Sequence, residues 1–185
     1  MEPLMNLRCI KSLLSLTRSW NRSWIFASLV CLIVSCDSTN INSESESDPH
    51  CTLGTGSLAF EAISPGAMLP IIAGPQGGYH VWGSLRASGI DPGDYYDPNS
   101  PNNPQTRFDV FLADGSRIGG TAQFKVGLKI RSNGTMEHVG EPVILAISDP
   151  LEINGQSGSM HVEIIDSQGR IINDSVEVVF SASRY

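Results

Sequence analysis

No stretch of this 185-residue chain supplies the roughly 18 consecutive apolar residues that a permanent transmembrane helix needs. Positive charge is scarce: 12 Lys and Arg stand against 19 Asp and Glu, a net charge of −7. The imbalance deepens along the chain, since residues 36–185 hold eight basic and 18 acidic residues. Such a segment repels nucleic acid and anionic lipid headgroups at long range, so a nucleic-acid partner is not expected. Cysteine is limited to Cys9, Cys31, Cys36 and Cys51, with no Cys-x-x-Cys and no His-Glu-x-x-His, so the usual zinc spacings are missing. Catalytic motifs are missing too. Gly155-Gln156-Ser157-Gly158-Ser159 has some look of a nucleophile elbow, but its second glycine is misplaced and the stretch reads as a turn between strands. Glu61, Glu137, Glu141 and Glu163 are scattered over separate strands and define no acid/base pair. The chain is therefore not expected to be an enzyme.

What the chain does have begins at its N-terminus. Arg8, Lys11, Arg18 and Arg22 make a basic n-region, whichever of Met1 and Met5 is the start. Trp24 to Val34 follows as an apolar h-region of eleven residues. As a helix it would reach about 17 Å at roughly 1.5 Å per residue, short of a hydrocarbon core of roughly 30 Å. It closes on Ile33-Val34-Ser35-Cys36: a branched aliphatic, a β-branched residue and a small residue before cysteine. Val30, in contrast, is too large for the position before Cys31. This arrangement resembles the type II signal peptide and lipobox of bacterial lipoproteins. The resemblance covers residues 1–36 and implies a diacylglyceryl thioether on the Cys36 sulfur, with cleavage making Cys36 the first mature residue. It also implies an address, the bacterial cell envelope, with the domain outside the cytoplasm and held to a membrane by lipid. Two or three acyl chains suffice for stable anchoring, at about 0.8 kcal/mol per buried methylene. Asp37 resembles the inner-membrane retention signal of enteric lipoproteins; inner and outer membranes both stay open.

With residues 1–35 removed and Cys36 lipidated, only Cys51 remains as a free thiol. No intrachain disulfide is then available, and Cys51 reads as a small packed hydrophobe. Residues 36–50 are rich in Ser, Glu and Asp, with Ile41 the one large aliphatic, and read as a disordered polar tether. Residues 51–185 form one domain, long enough to bury a substantial core.

Short runs of alternating apolar residues recur there between turn signals, the mark of strands. The runs are Leu58–Ala62, Met68–Ile72 with Pro70 marking an edge or bend, Tyr79–Ala87, Phe108–Leu112, Ala122–Ile130, Pro142–Ile147, Met160–Ile164 and Val176–Ala182. The alternation is clearest in 122–130, where Lys125, Lys129 and Arg131 fall on the wet face. Pro142–Ile147 is more uniformly apolar and suits a central strand. Asp114-Gly115, Asn133-Gly134 and Asp166–Gly169 are turns by composition. Seven or eight strands with little helical periodicity predict an all-β fold, an antiparallel two-sheet sandwich of immunoglobulin-like or fibronectin-like type.

One segment stands out as a candidate site. Gly77-Gly78 permits positive φ at the entrance to the third run. Period two then puts His80, Trp82, Ser84 and Arg86 on the face opposite Tyr79, Val81 and Leu85. A titratable ring, a large aromatic and a guanidinium can stack on and hydrogen-bond a sugar or a partner's side chain. The plainer reading has Trp82 packed in the core or under loop 89–105, with His80 and Arg86 tying that loop down. Gly74–Asp91 is also similar to a segment of uncharacterised bacterial secreted proteins and lipoproteins, which implies no activity.

Loop 89–105 carries Asp91, Asp94, Asp97, Asn99, Asn102 and Asn103 without EF-hand spacing, so turn chemistry is the expectation. His50, His80, His138 and His161 accompany Met136 and Met160, but a cupredoxin-like copper site needs Cys, His and Met near one loop, and Cys51 stands at the other end of the domain from both methionines. Neither a metal nor another cofactor is expected. The reading is a lipid-anchored envelope lipoprotein whose domain binds an envelope protein or carbohydrate without catalysis. Two alternatives stay open: an envelope enzyme built around His80, Arg86 and loop 89–105, and a structural accessory subunit of an envelope complex.

Overall fold

The computed structural model describes residues 48–182. Eleven strands run in chain order: β1 His50–Thr55, β2 Glu61–Ala62, β3 Ala67–Ala73, β4 Tyr79–Ser88, β5 Gln105–Leu112, β6 Arg117–Gly120, β7 Phe124–Lys125, β8 Lys129–Ile130, β9 Met136–Leu145, β10 Ser157–Ile165 and β11 Ile171–Ala182. A single 3-10 turn, Pro150–Glu152, is the only helical element among the described residues. The fold is all-β, as the alternation predicts.

Strand order is β2-β1-β4-β3-β11-β10-β5-β6-β9-β8, with β7 on β5 and a further pairing of β4 with β9. That last pairing closes a ring of seven strands: β4, β3, β11, β10, β5, β6 and β9. The ring is one continuous sheet, and its two shortest pairings close it. At one, Ile72 and Ala73 of β3 pair with His80 and Tyr79 of β4. At the other, Gly119 and Gly120 of β6 pair with Leu145 and Ile144 of β9. The expectation of an antiparallel two-sheet sandwich is thus corrected in two respects: seven strands close into a barrel, and β3 runs parallel to β11 from Ala67↔Val178 to Ile71↔Ala182. The physical reason is that β3 changes partner midway, with β11 first and β4 afterwards. Pro70 is tolerated there because that stretch of β3 is paired on one side only.

The core follows the alternation. Phe108 and Val110 of β5, Met160, Val162 and Ile164 of β10, and Val178 and Phe180 of β11 point inward and are buried with Val81, Leu85 and Val143. Fully burying each such side chain contributes on the order of 2 kcal/mol, and no disulfide is needed. Cys51 is half-buried at the core margin, and burial together with the Asp174 carboxylate pushes its thiol up to about 12. It stays protonated and inert, in keeping with a packing role. Asp174 also accepts the Leu53 N–H at 2.7 Å, clipping β1 to β11.

Two further expectations are corrected. The first apolar run, 58–62, yields only β2, while the longer strand lies at His50–Thr55, so ordered structure begins at the edge of the stretch read as tether. Leu58 is 96% exposed because the chain turns back over the barrel there instead of entering it. The apparently clearest strand, 122–130, is broken into β7 and β8, with Ala122 and Ile130 exposed. Between them the chain runs along loop 89–105: Val126 N–H donates to the Pro104 carbonyl at 3.0 Å and Leu128 N–H to that of Pro92 at 2.8 Å. The backbone bonds that alternation assigns to a ladder go to a loop. The three compositional turns do join paired strands, β5–β6, β8–β9 and β10–β11, and β9 is central, paired by β4 on one side and by β6 and β8 on the other.

Candidate functional site

Cys36 lies outside the described residues. His80, Trp82 and Arg86 all lie on β4. Gly77 and Gly78 take φ of 87° and 77° in the turn that leads into it, as expected. None of the three side chains belongs to the core cluster, yet they do not form one open face. The chain from Gly56 to Ile63 folds back against Trp82 and Arg86, drawn down by Ser84, whose hydroxyl donates to the Gly56 carbonyl at 3.0 Å and accepts the Gly140 N–H at 3.1 Å. His80 is only 8% exposed, stands edge-on to Trp82 at 4.7 Å between ring centres, and its Nε2 is buried without a hydrogen-bond partner. Burial pushes its imidazole below its ordinary pKa. Trp82 lines a hollow of about 370 Å³ between segments 55–63 and 67–72. Arg86 lies over Phe60, 4.3 Å from the ring centre, and meets the Glu137 carboxylate at 3.3 Å. These residues are held by packing partners. Segment 56–63, and not loop 89–105, packs against Trp82 and Arg86, and the Arg86 side chain stays 44% exposed.

Loop 89–105 belongs to another part of the surface. Its root is the buried Asp166 carboxylate, which accepts the N–H groups of Asp91, Gln168 and Arg170 and the Arg170 guanidinium. Burial alone would raise the pKa of that carboxyl, but these hydrogen bonds outweigh it and hold the group below the ordinary carboxylate range. Within the loop, Asn103 accepts the Asp94 N–H at 2.8 Å and donates to the Asp97 carbonyl at 2.8 Å, while Asp94 accepts the N–H of Tyr96 at 2.9 Å. Of the oxygen-bearing side chains of this loop, Asp91, Asp94, Asp97 and Asn103 accept backbone N–H groups in turns. Among the described residues no three His, Cys, Asp or Glu side chains gather as a metal site would require. His50 bonds Ser88, His138 meets Glu141, and His161 contacts Ser159 and Ser175.

The Ser159–His161 contact, 2.9 Å, borders a groove of about 550 Å³. Ser157–Ser159 opens β10, so the stretch expected as a turn is partly strand. A Ser–His relay needs a third group to orient the imidazole, and His161 is bonded by hydroxyls, with no carboxylate on it among the described residues.

The built feature that the sequence reading missed lies where loop 89–105 meets β7 and β8. A Cβ at Gly127 would collide with the Asp94 carbonyl and the Tyr95 nitrogen, so glycine lets the two backbones touch. This contact presents Tyr95 and Tyr96, 49% and 90% exposed, with rings edge-to-face at 5.2 Å. Lys129 Nζ sits 5.8 Å from the Tyr95 ring centre. On either side of this pair are hollows of about 420 and 440 Å³, and Lys125, Arg131 and Glu137 border the second. Lys125 donates to the Pro101 carbonyl at 3.0 Å, and Arg131 meets Glu137 at 3.1 Å. The available signals were a Tyr-Tyr doublet in a polar loop and three cations along one alternating segment of an acidic domain.

No family model and no curated protein matches this chain. Among solved structures, it is similar to the CooA pilin subunit from enterotoxigenic Escherichia coli at 9% identity and a TM-score of 0.35, over 72% of this chain and 99% of that one. It is similar to CopC from Methylosinus trichosporium OB3b at 10% identity and a TM-score of 0.28, over 64% of this chain and 88% of that one. Likenesses this slight carry no argument about function.

Proposed function

We propose that this chain is a lipid-anchored lipoprotein of a bacterial cell envelope, and that its β domain is a non-catalytic binding module. The single observation that carries the binding role is the Tyr95–Lys129 ridge, where exposed rings and cations flank two hollows on a closed barrel. Small binding sites are typically concave, with a few fixed polar groups on a rigid frame. In the same proposal the barrel is an immunoglobulin-like or fibronectin-like sandwich whose two halves are joined by short pairings. Envelope chemistry at His80 and Arg86 has less support, because His80 is nearly buried, Arg86 is engaged by Phe60 and Glu137, and loop 89–105 lies against β7 and β8 instead. The anchor rests on Ile33-Val34-Ser35-Cys36. Metabolic labelling with a clickable fatty acid tests it: wild type takes up label and Cys36→Ala does not, while equal labelling of the two contradicts the anchor.

A further inference from the structure

Eight cations serve an acidic segment that carries 18 acids, and three of them, Lys125, Lys129 and Arg131, border one groove with Glu137 as the sole acid. Among the described residues neither lysine meets a carboxylate: Lys125 has the Pro101 carbonyl and Lys129 the Tyr95 ring. Both ammonium groups are solvent-exposed and open to a ligand. The neighbouring Tyr96 is 90% exposed, a large flat ring edge-on to Tyr95 on a backbone held by the hydrogen bonds of Asp94 and Asn103.

We propose that this groove binds an acidic glycan, with a sugar carboxylate set between Lys125 and Lys129 and the chain continuing past Tyr95 into the adjoining hollow, where a ring stacks on Tyr96. Aromatic faces accept the apolar faces of pyranose rings, and local cations select the carboxylated ones. A peptide added as a strand is disfavoured because β8, the strand that ends the sheet here, is only two residues long. A nucleic acid is disfavoured because three cations do not offset the repulsion of an acidic domain along a phosphate backbone. The inference rests on the binding-module reading and not on the Cys36 anchor, so the failure of one leaves the other standing.

Calorimetric titration of the full chain in detergent micelles tests it, with oligogalacturonate, neutral oligogalactose and polyglutamate as probes. Binding of oligogalacturonate alone is expected, weakened about tenfold or more in Lys125→Gln/Lys129→Gln and weakened by added salt. Circular dichroism of that variant should match wild type, because both ammonium groups are exposed. Tyr96→Ala should lose affinity with no change in melting temperature. Three results overturn the proposal: no binding of oligogalacturonate, undiminished affinity in the double lysine variant, or polyglutamate binding as tightly as oligogalacturonate.

Discussion

The domain contains two cations set over aromatic rings, Arg86 over Phe60 and Lys129 over Tyr95, and they differ in what surrounds them. Around Arg86 the chain supplies every partner: the Phe60 ring from the folded-back segment and the Glu137 carboxylate from β9. Around Lys129 it supplies one ring and two hollows. The same residue types serve the fold in the first place and remain open to a ligand in the second. Composition of a face is thus a poor guide to its role, and the number of internal partners is a better one.

The largest expected effect breaks the open region at its root. Asp166→Ala leaves the N–H groups of Asp91 and Arg170 without their buried acceptor and is expected to cost about 3 kcal/mol in urea denaturation. It should also loosen the loop that carries Tyr95. Glu137→Gln joins the two regions, because its carboxylate meets both Arg86 and Arg131. Since both guanidinium groups are nearly half exposed, the expected loss is about 1 kcal/mol, and freeing Arg131 should tighten oligogalacturonate binding in the same titration.

The covered region is sharpened by pH. The folded-state pKa of His80 is depressed by burial, so the unfolded chain binds the proton more readily. The stability this group contributes is complete above its ordinary value near 6.5 and is lost as pH falls from there toward its lower folded value. His80→Phe should flatten this acid-side loss in thermal melts, and above pH 8 should change stability by less than about 1 kcal/mol, since the polar atom removed has no partner. The smallest effect belongs to Lys129→Gln, within about 0.5 kcal/mol of wild type by denaturation.

Much of the barrel was legible because β5, β10 and β11 alternate in the simplest way, and Met160, Val162 and Ile164 are all buried as period two requires. Ala122–Ile130 alternates as well, but its hydrogen bonds go to Pro92 and Pro104. Periodicity reports which side chains are apolar and says nothing about which backbone answers. β1 escaped notice because only Leu53 within it is a fully buried large hydrophobe. The parallel pairing of β3 with β11 joins distant parts of the chain, where local pattern carries no information. The faces of β4 were readable, and the segment that packs against one of them was not, since Ser84 holds it through the Gly56 carbonyl, a group every residue possesses. The Tyr95–Lys129 ridge needed the Gly127 contact to bring two separate polar segments together.

The central claim is that the domain binds through the Tyr95–Lys129 ridge and not through the His80–Trp82–Arg86 face. Chemical-shift mapping of the isotopically labelled full chain during addition of oligogalacturonate tests it most directly. The account predicts progressive shifts for the amides of Tyr95, Tyr96, Lys125 and Lys129, with the Trp82 indole unmoved. Shifts confined to Trp82, His80 and Arg86 would contradict it.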